Sequence, residues 1–557
     1  MTRTAHLPLV LALVLALVAL AAPASAQQAL PADWKAKVQP ESDDWKKARQ
    51  VFTFNNGAEP ETLDPQIVTG VPEHRLTGNL FETLVTQHPE TLQTVPGVAE
   101  RWEVSRDGLV YTFHLRKNAK WSDGQPLTAT DFRDSWQRLL EPATAAQYAY
   151  MLYPVKGAEA YNKQGSEGPD GVKRPAVPYE QVGVQAVDAH TLRVTLERPC
   201  AYFLDLAAFD SLAPVPLRVI RAHGDRWVRP ETLVCNGPFK LGEWRPNQRI
   251  VLVKNEHYWD RDFVKLEQVV ALPLEDMDTA FKMFQQGECD WLNDVPLGKL
   301  AEIQRLPEFY VSPYLGTYFY RFNVTKKPFD DARVRRALSM CIDREAITRD
   351  LLRAGQVPAT WFTPAMPGYE PPRGLGFDRE RARRLLAEAG YPDGKGFPTV
   401  ELLYNTLEAH KVVAENLVQQ WRENLGITVS LRNSEWKVYL NDVQHLQYQI
   451  ARAAWIGDYL DPNTFLDMFV TGGGNNNTGW SNARYDALIA QAARELDPKK
   501  RMAVFQEAER LLIEEEMPVL PLYIYVNKGL LKETVGGWYE NVRDQHPLKY
   551  LWKEPAE

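Results

Sequence analysis

The segment between residues 400 and 431 limits the possible folds more than any other. Val400 to Tyr404 is a short apolar run, and Ile427 to Leu431 is another. Between them, Glu408 to Asn424 leads into Leu425, with Val413, Leu417, Trp421 and Leu425 every fourth residue. Short bounded runs suit strands, and apolar residues four apart share one face of a helix. Two strands joined through a helix run parallel, with the helix crossing over the sheet. The chain is therefore expected to be a mixed α/β protein with several sheets.

Other stretches agree. Val51 to Phe54 reads as a strand, and Tyr111, Phe113 and Leu115 alternate with polar neighbours, as do Leu192, Val194 and Leu196. Thr128-Ala-Thr-Asp131 resembles a capping box ahead of Phe132, Trp136 and Leu140 on one helical face. Residues 379–389 and 487–515 carry helical patterns, and 165–178 reads as an exposed loop. Asn405-Thr-Leu-Glu408 resembles a second capping box, which would put His410 in a first helical turn. At ~150 residues per domain, 557 residues make about three to four domain-sized units.

The N-terminus has the three parts of a secretory signal peptide: Arg3, an apolar run from Leu9 to Ala22, and Ala24-Ser25-Ala26 as cleavage site. The run is shorter than the ~20 residues of a membrane span. No cysteine at the cleavage point offers a lipid anchor. Removing residues 1–26 leaves 531, and losing Arg3 takes the net charge from −8 to −9. The expected product is exported, to a bacterial periplasm, without membrane insertion. Residues 27–50 are polar and expected to wrap the surface. Export permits disulfides; four cysteines allow three pairings, and a Cys200–Cys235 bond is favoured, with one between Cys289 and Cys341 less expected.

Acidic residues outnumber basic ones 72 to 64, the reverse of a nucleic-acid binder. The 16 Trp, 23 Tyr and 21 Phe suit either binding surfaces or a large core. There is no HExxH, GxSxG, P-loop or CxxC, and the ten histidines are scattered, so neither metal nor cofactor is expected. Gly472 to Asn477 (GGGNNN) reads as a flexible turn and lacks the context of a dinucleotide fingerprint. Nothing marks two carboxylates as a catalytic pair. A secreted hydrolase remains a remote second class, and a chaperone-like or adhesive role is a third.

A set of ordered segments resembles the extracytoplasmic peptide-binding proteins of ABC importers, the peptide/nickel-binding type of family 5 solute-binding proteins. They are Glu61-Thr-Leu-Asp-Pro65, Gly70-Val-Pro-Glu73, Asn79-Leu-Phe-Glu-Thr-Leu84, Pro96-Gly-Val-Ala-Glu100 before Trp102, and Tyr111-Thr-Phe-His-Leu-Arg116 running into Ala119-Lys-Trp-Ser-Asp-Gly124. Asn236-Gly-Pro-Phe239, Leu403-Tyr-Asn-Thr406 and Ala451-Arg-Ala-Ala-Trp455 follow. The resemblance covers essentially the whole mature chain. It implies an α/β, two-lobed periplasmic-binding-protein fold (type II, cluster C-like) with an extra inserted domain. The first lobe would comprise 27–81, 217–315 and 528–557, the inserted domain 82–216 and the second lobe 316–527.

It further implies a monomeric receptor, not an enzyme, that encloses short peptides between its lobes and delivers them to membrane permease subunits. Same-fold receptors for murein peptide, dipeptide, haem or a metal chelate are the alternatives. Asp458 matches the residue that holds the peptide α-ammonium, Arg452 one that meets the carboxylate of a short peptide, and His410 one that serves a longer peptide. Gly70 and Val71 match one edge that pairs with the peptide backbone; Ala453, Ala454 and Trp455 match the other. Trp436, Tyr148, Tyr318 and Tyr525 fall near pocket walls, and Asn476 and Thr478 in a matching loop. Departures are Thr69 for an acidic residue, Val443 for an arginine, and Gly316 with Ile456 for a cysteine pair.

Overall fold

The computed structural model describes residues 34–167 and 172–555, and the expected signal peptide lies outside them. The architecture hangs on two long antiparallel strands, Phe309–Phe322 and Val519–Leu531. At one end Phe309–Pro313 pair with Leu530–Val526; at the other Thr317–Arg321 pair with Ile524–Val519. The ladder shifts register between Pro313 and Thr317. Beyond Val519–Leu531 the sheet continues through Trp291–Leu292, Val51–Asn55, Gln268–Leu272, Arg249–Lys254 and Phe239–Arg245. Beyond Phe309–Phe322 it continues through Ile450–Ile456, Val400–Asn405 and Val429–Ser434. The two half-sheets and their helices make two lobes joined by this ribbon.

The βαβ unit forms as expected. Val400–Asn405 and Val429–Ser434 are parallel, in register from Val400↔Val429 to Asn405↔Ser434. The connecting helix, Glu408–Leu425, buries Val413, Leu417, Trp421 and Leu425 and ends at Gly426, whose φ of 70° is the left-handed conformation that glycine adopts without strain. Trp421 donates its indole N–H to the Leu338 carbonyl at 3.0 Å, which satisfies the ring's polar atom inside the core.

A separate four-stranded sheet, Ala99–Val104, Val110–Leu115, Thr191–Thr195 and Val184–Asp188, packs with the helix Ala129–Leu140. Asp131 caps that helix, its carboxylate accepting the Thr128 N–H at 2.7 Å. Phe132, Trp136, Leu139 and Leu140 are buried in a core that also takes in Phe465, Tyr485 and Phe505 of the second lobe.

Three expectations change. The second expected capping box does not form, because Leu407 is the N-cap and Asn405 turns its side chain toward Arg452. Residues 487–515 are not one helix: Ala483–Ala492 ends before Pro498–Arg510, which Asp497 caps and which runs on into a π-helical turn, Leu511–Glu516. Pro498 has no N–H to continue a helix but suits a first turn, so Asp-Pro restarts rather than extends it. The four cysteines are free thiols, not disulfides. Cys200 sits in the core of the inserted sheet and Cys235 in that of the first lobe, where its thiol donates to the Phe239 carbonyl. Burial pushes the Cys200, Cys235 and Cys289 thiols up to about 12 and raises Cys341 as well. Iodoacetamide should therefore leave the native mature chain unmodified and label four sites in denaturant, as counted by intact mass; a native disulfide would lower that count by two.

The chain ends are tied together in the first lobe. Gln50, just before the strand Val51–Asn55, donates to the Lys553 carbonyl at 2.9 Å and accepts the Lys553 N–H at 3.0 Å. Val38, in the segment expected to lie on the surface, is buried.

Candidate functional site

A cavity of about 530 Å³ lies between the lobes, within the usual range for an enclosed ligand site. Its chief wall is the strand Ile450–Ile456. One edge of this strand pairs with Gly316–Phe322 along its whole length. The other meets Val400–Asn405 only through Leu402↔Ile450 and Leu403↔Ala451. From Arg452 onward that edge has no partner strand among the described residues and lies in the cavity; the Arg452 carbonyl accepts the Tyr439 hydroxyl, and the edge from Ala453 to Ile456 is open to an added chain.

Arg452 and Asp458 lie six residues apart along this wall, both buried and both lining the cavity. Arg452 donates to the Tyr525 hydroxyl at 2.6 Å and to Asn405 Oδ1 at 3.3 Å, and its guanidinium lies 4.6 Å from the Tyr318 ring centroid. Its Nε is buried without a partner, and it makes no salt bridge among the described residues. A buried guanidinium held by neutral groups is a site prepared for an anion.

Asp458 has the opposite character. Its backbone N–H donates to the Thr464 hydroxyl at 2.9 Å, while its carboxylate has only that hydroxyl, at 3.5 Å. Burial pushes the Asp458 pKa up to about 7; Arg543 and His74 oppose the rise and Asp210 adds to it. His74 bonds Asp210 at 2.8 Å and leaves its Nε2 unpartnered. Burial works against the His74 charge, but Asp210, Asp458 and Glu73 together outweigh it and hold the pKa above 6.5.

The expected residues divide. His410 lines the cavity, buried, with its Nδ1 3.4 Å from the Tyr318 hydroxyl. Burial, then Arg452 and Lys528, hold its pKa well below 6.5, so the ring is neutral here. Ala453, Ala454, Trp455, Tyr525 and Tyr148 line the cavity too; the Tyr148 ring touches those of Phe209 and Trp455. Gly70 and Val71 also line it, but as the N-cap and first residue of the helix Val71–Leu80 rather than as a strand edge. A Cβ on Gly70 would meet Glu73 Oε2 at 2.1 Å and Trp436 Cζ2 at 2.8 Å, where Trp436 Nε1–H of one lobe donates to Glu73 Oε1 of the other at 3.1 Å.

Three residues are elsewhere. Tyr318 is core, stacked on Tyr523 at 4.7 Å, and supports Arg452 from behind. Asn476 braces its loop, donating to the Phe469, Val470 and Trp480 carbonyls and accepting the Thr478 hydroxyl at 2.7 Å. Those bonds occupy both polar side chains and make the expected flexible turn a braced one. The neighbours Asn475 and Asn477 line the cavity instead. Gly316 and Ile456 are register partners, with Ile456 Cδ1 filling the place a Gly316 side chain would take.

Sequence reasoning missed Arg543, which donates from the first lobe to the Gly457 carbonyl of the second at 3.1 Å, and the pair His74–Asp210. Neither stands in a recognisable spacing.

A family model described as bacterial extracellular solute-binding proteins, family 5 Middle, matches residues 93–477. The chain is a family 5 extracellular solute-binding protein. It is 38% identical over 500 residues to the periplasmic oligopeptide-binding protein OppA of Salmonella typhimurium, covering 88% of this chain and 90% of that one. Haemophilus influenzae OppA in complex with RPPGFSPFR superposes with a TM-score of 0.85 at 35% identity, covering 91% and 99% of the two chains. The Escherichia coli murein tripeptide-binding protein MppA superposes at 0.86 with 36% identity, covering 93% and 100%. Against the unliganded open form of MppA the TM-score falls to 0.59, with 91% and 97% covered. The lobes of this family 5 protein thus stand together, not apart.

Proposed function

We propose that this chain is an oligopeptide receptor. It would be exported to the periplasm by its signal peptide, would capture short peptides between its lobes, and would present them to the permease of an ABC importer rather than transform them. The domain division is proposed as 27–81 with 217–315 and 528–557, then 82–216, then 316–527. The observation that carries this reading is one open strand edge with a buried carboxylate at one end and a buried guanidinium at the other, neither in a salt bridge among the described residues. An extended peptide offers the complement: main-chain groups for the edge, an ammonium for Asp458 and a carboxylate for Arg452. Its relatives named above are peptide-binding proteins, which points the same way.

Calorimetry with trialanine and N-acetyl-trialanine tests it. Acetylation is expected to weaken binding by at least about 30-fold, since it removes one partner of a buried charge pair. Equal affinities would sink the reading.

Closure has its own check. A Cβ on Gly474 of the second lobe would come within 2.3 Å of the Gln147 carbonyl oxygen across the lobe boundary. Gly474→Ala is expected to weaken peptide binding about tenfold while leaving the melting temperature of the unliganded protein unchanged, because the overlap exists only when the lobes meet. An equal fall in melting temperature would instead place the clash within the fold.

A further inference from the structure

The cavity wall includes a further buried cation, besides Arg452 and Arg543, that the proposed contacts to the peptide's termini do not use. Arg321 lies on the long strand Phe309–Phe322 and is only 7% exposed, yet it lines the cavity. The other buried arginines all have side-chain hydrogen-bond partners, although the Nε of Arg452 is unpaired. Arg335 donates to the Phe329, Glu516 and Met517 carbonyls, and Arg344 to those of Ser339 and Pro521. Arg543 bonds Gly457 and Gln87, and Arg452 bonds Asn405 and Tyr525. Outside its backbone ladder, the Arg321 side chain makes no hydrogen bond or salt bridge among the described residues, and its Nε is buried without a partner. A guanidinium left in this state costs several kcal/mol unless something completes it.

The strand register says which part of a ligand could reach it. Cross-strand partners share a face, and successive residues alternate. Tyr320 pairs with Arg452, whereas Arg321 pairs with Ala451. The two guanidinium groups therefore project from opposite faces of the sheet. Arg452 lies with Tyr318 and Tyr525, while Arg321 lies on the side of Tyr439, Val443 and Tyr448. Tyr439 and Tyr448 both feel its charge, and Phe319 is 5.6 Å from it. Tyr439 and Val443 line the cavity as well. A peptide added to the open edge of Ile450–Ile456 would likewise send alternate side chains to opposite faces. Its C-terminal carboxylate can meet Arg452 while one side chain enters the Arg321 face.

We infer that Arg321 reads a carboxylate on a side chain of the bound peptide, so that this receptor selects peptides with Asp or Glu at one position other than the two ends. This rests on the peptide reading above. Val443 matters to it: at a position where an arginine was expected from the resemblance, an aliphatic group leaves Arg321 as the charge that an entering side chain meets.

The test is calorimetry on the mature chain with alanine tripeptides and tetrapeptides, each changed at one inner position to Glu or to its uncharged isostere Gln. At one inner position Glu is expected to bind about tenfold more tightly than Gln, or ~1.4 kcal/mol, and the difference should shrink with added salt. Arg321→Met and Arg321→Gln should each abolish that difference and keep the affinity for the all-alanine peptide within about twofold. Wild-type protein with no Glu preference at any inner position overturns the inference, with no variant needed. So does a preference that survives in both variants. If no alanine peptide binds, the peptide reading fails and takes this inference with it, a result distinct from equal binding of all.

Discussion

Asp458→Asn should lower the affinity for an unblocked tripeptide by about two to three orders of magnitude. Removing one charge of a buried, hydrogen-bonded pair costs about 2–5 kcal/mol, and asparagine keeps the shape while losing the charge. An N-acetylated peptide, which has no ammonium to lose, should bind wild type and variant alike. The same carboxylate sets a pH dependence. Its folded pKa of about 7 stands above the ordinary 3.8, so the folded, empty protein binds a proton that the unfolded chain has released. Stability from this group therefore falls as pH rises through that window, and above about pH 7 the penalty reaches on the order of 4 kcal/mol. An ammonium favours the ionised form and relieves the penalty.

Peptide affinity is thus expected to rise from about pH 5 to pH 7, with proton release on binding below pH 7. It should fall again above about pH 8, where the peptide's own α-amino group deprotonates. Calorimetry in two buffers of different ionisation heat measures both quantities. Wild-type affinity that is flat between pH 5 and 7 would falsify the role given to Asp458, and the Asn variant should show no rising limb.

Arg452→Met is the second large effect, and its size should depend on peptide length. Six residues of extended chain span about 20 Å, and the distance to be bridged is shortened by the reach of the arginine itself. Peptides of three or four residues, about 10–14 Å long when extended, bring their carboxylate toward Arg452; longer ones overrun it. The variant should lose about 30-fold or more for tripeptides and only a few-fold for hexapeptides. His410, neutral in the empty cleft, lies where an anion from a longer ligand would raise its pKa. A uniform loss across lengths would reduce Arg452 to a structural brace for Tyr525 and Asn405.

What could be seen in advance follows from the range of the forces involved. The unit from Val400 to Ser434 was legible because its periodicity is local: Val413, Leu417 and Trp421 report a buried face within one helix. The cap at Asp131 was legible for the same reason. The resemblance placed Gly70 and Val71 at the cleft, where they lie, but that they open a helix was not legible, because Gly-Val-Pro suits an extended edge and a helix start equally. Tyr318 and Tyr525 are 207 residues apart on two different strands, and nothing local says that one stacks behind Arg452 while the other bonds it. Arg321 was invisible for a stronger reason. Its distinction lies in having no partner, and a missing partner has no signature in a string of residues. The cysteines carry the same lesson, since nearness in sequence did not put Cys200 and Cys235 in one core.

The tie between Gln50 and Lys553 has a consequence for how the polypeptide is made. The first lobe's sheet and clasp join Gln50 and the strand Val51–Asn55 to residues 239–292 and to Lys553, so the clasp cannot close until Lys553 has been synthesised. Contacts this distant in sequence form slowly. For a chain expected to be threaded through a membrane channel, that delay is useful, because the first lobe cannot lock shut before Lys553 has been made.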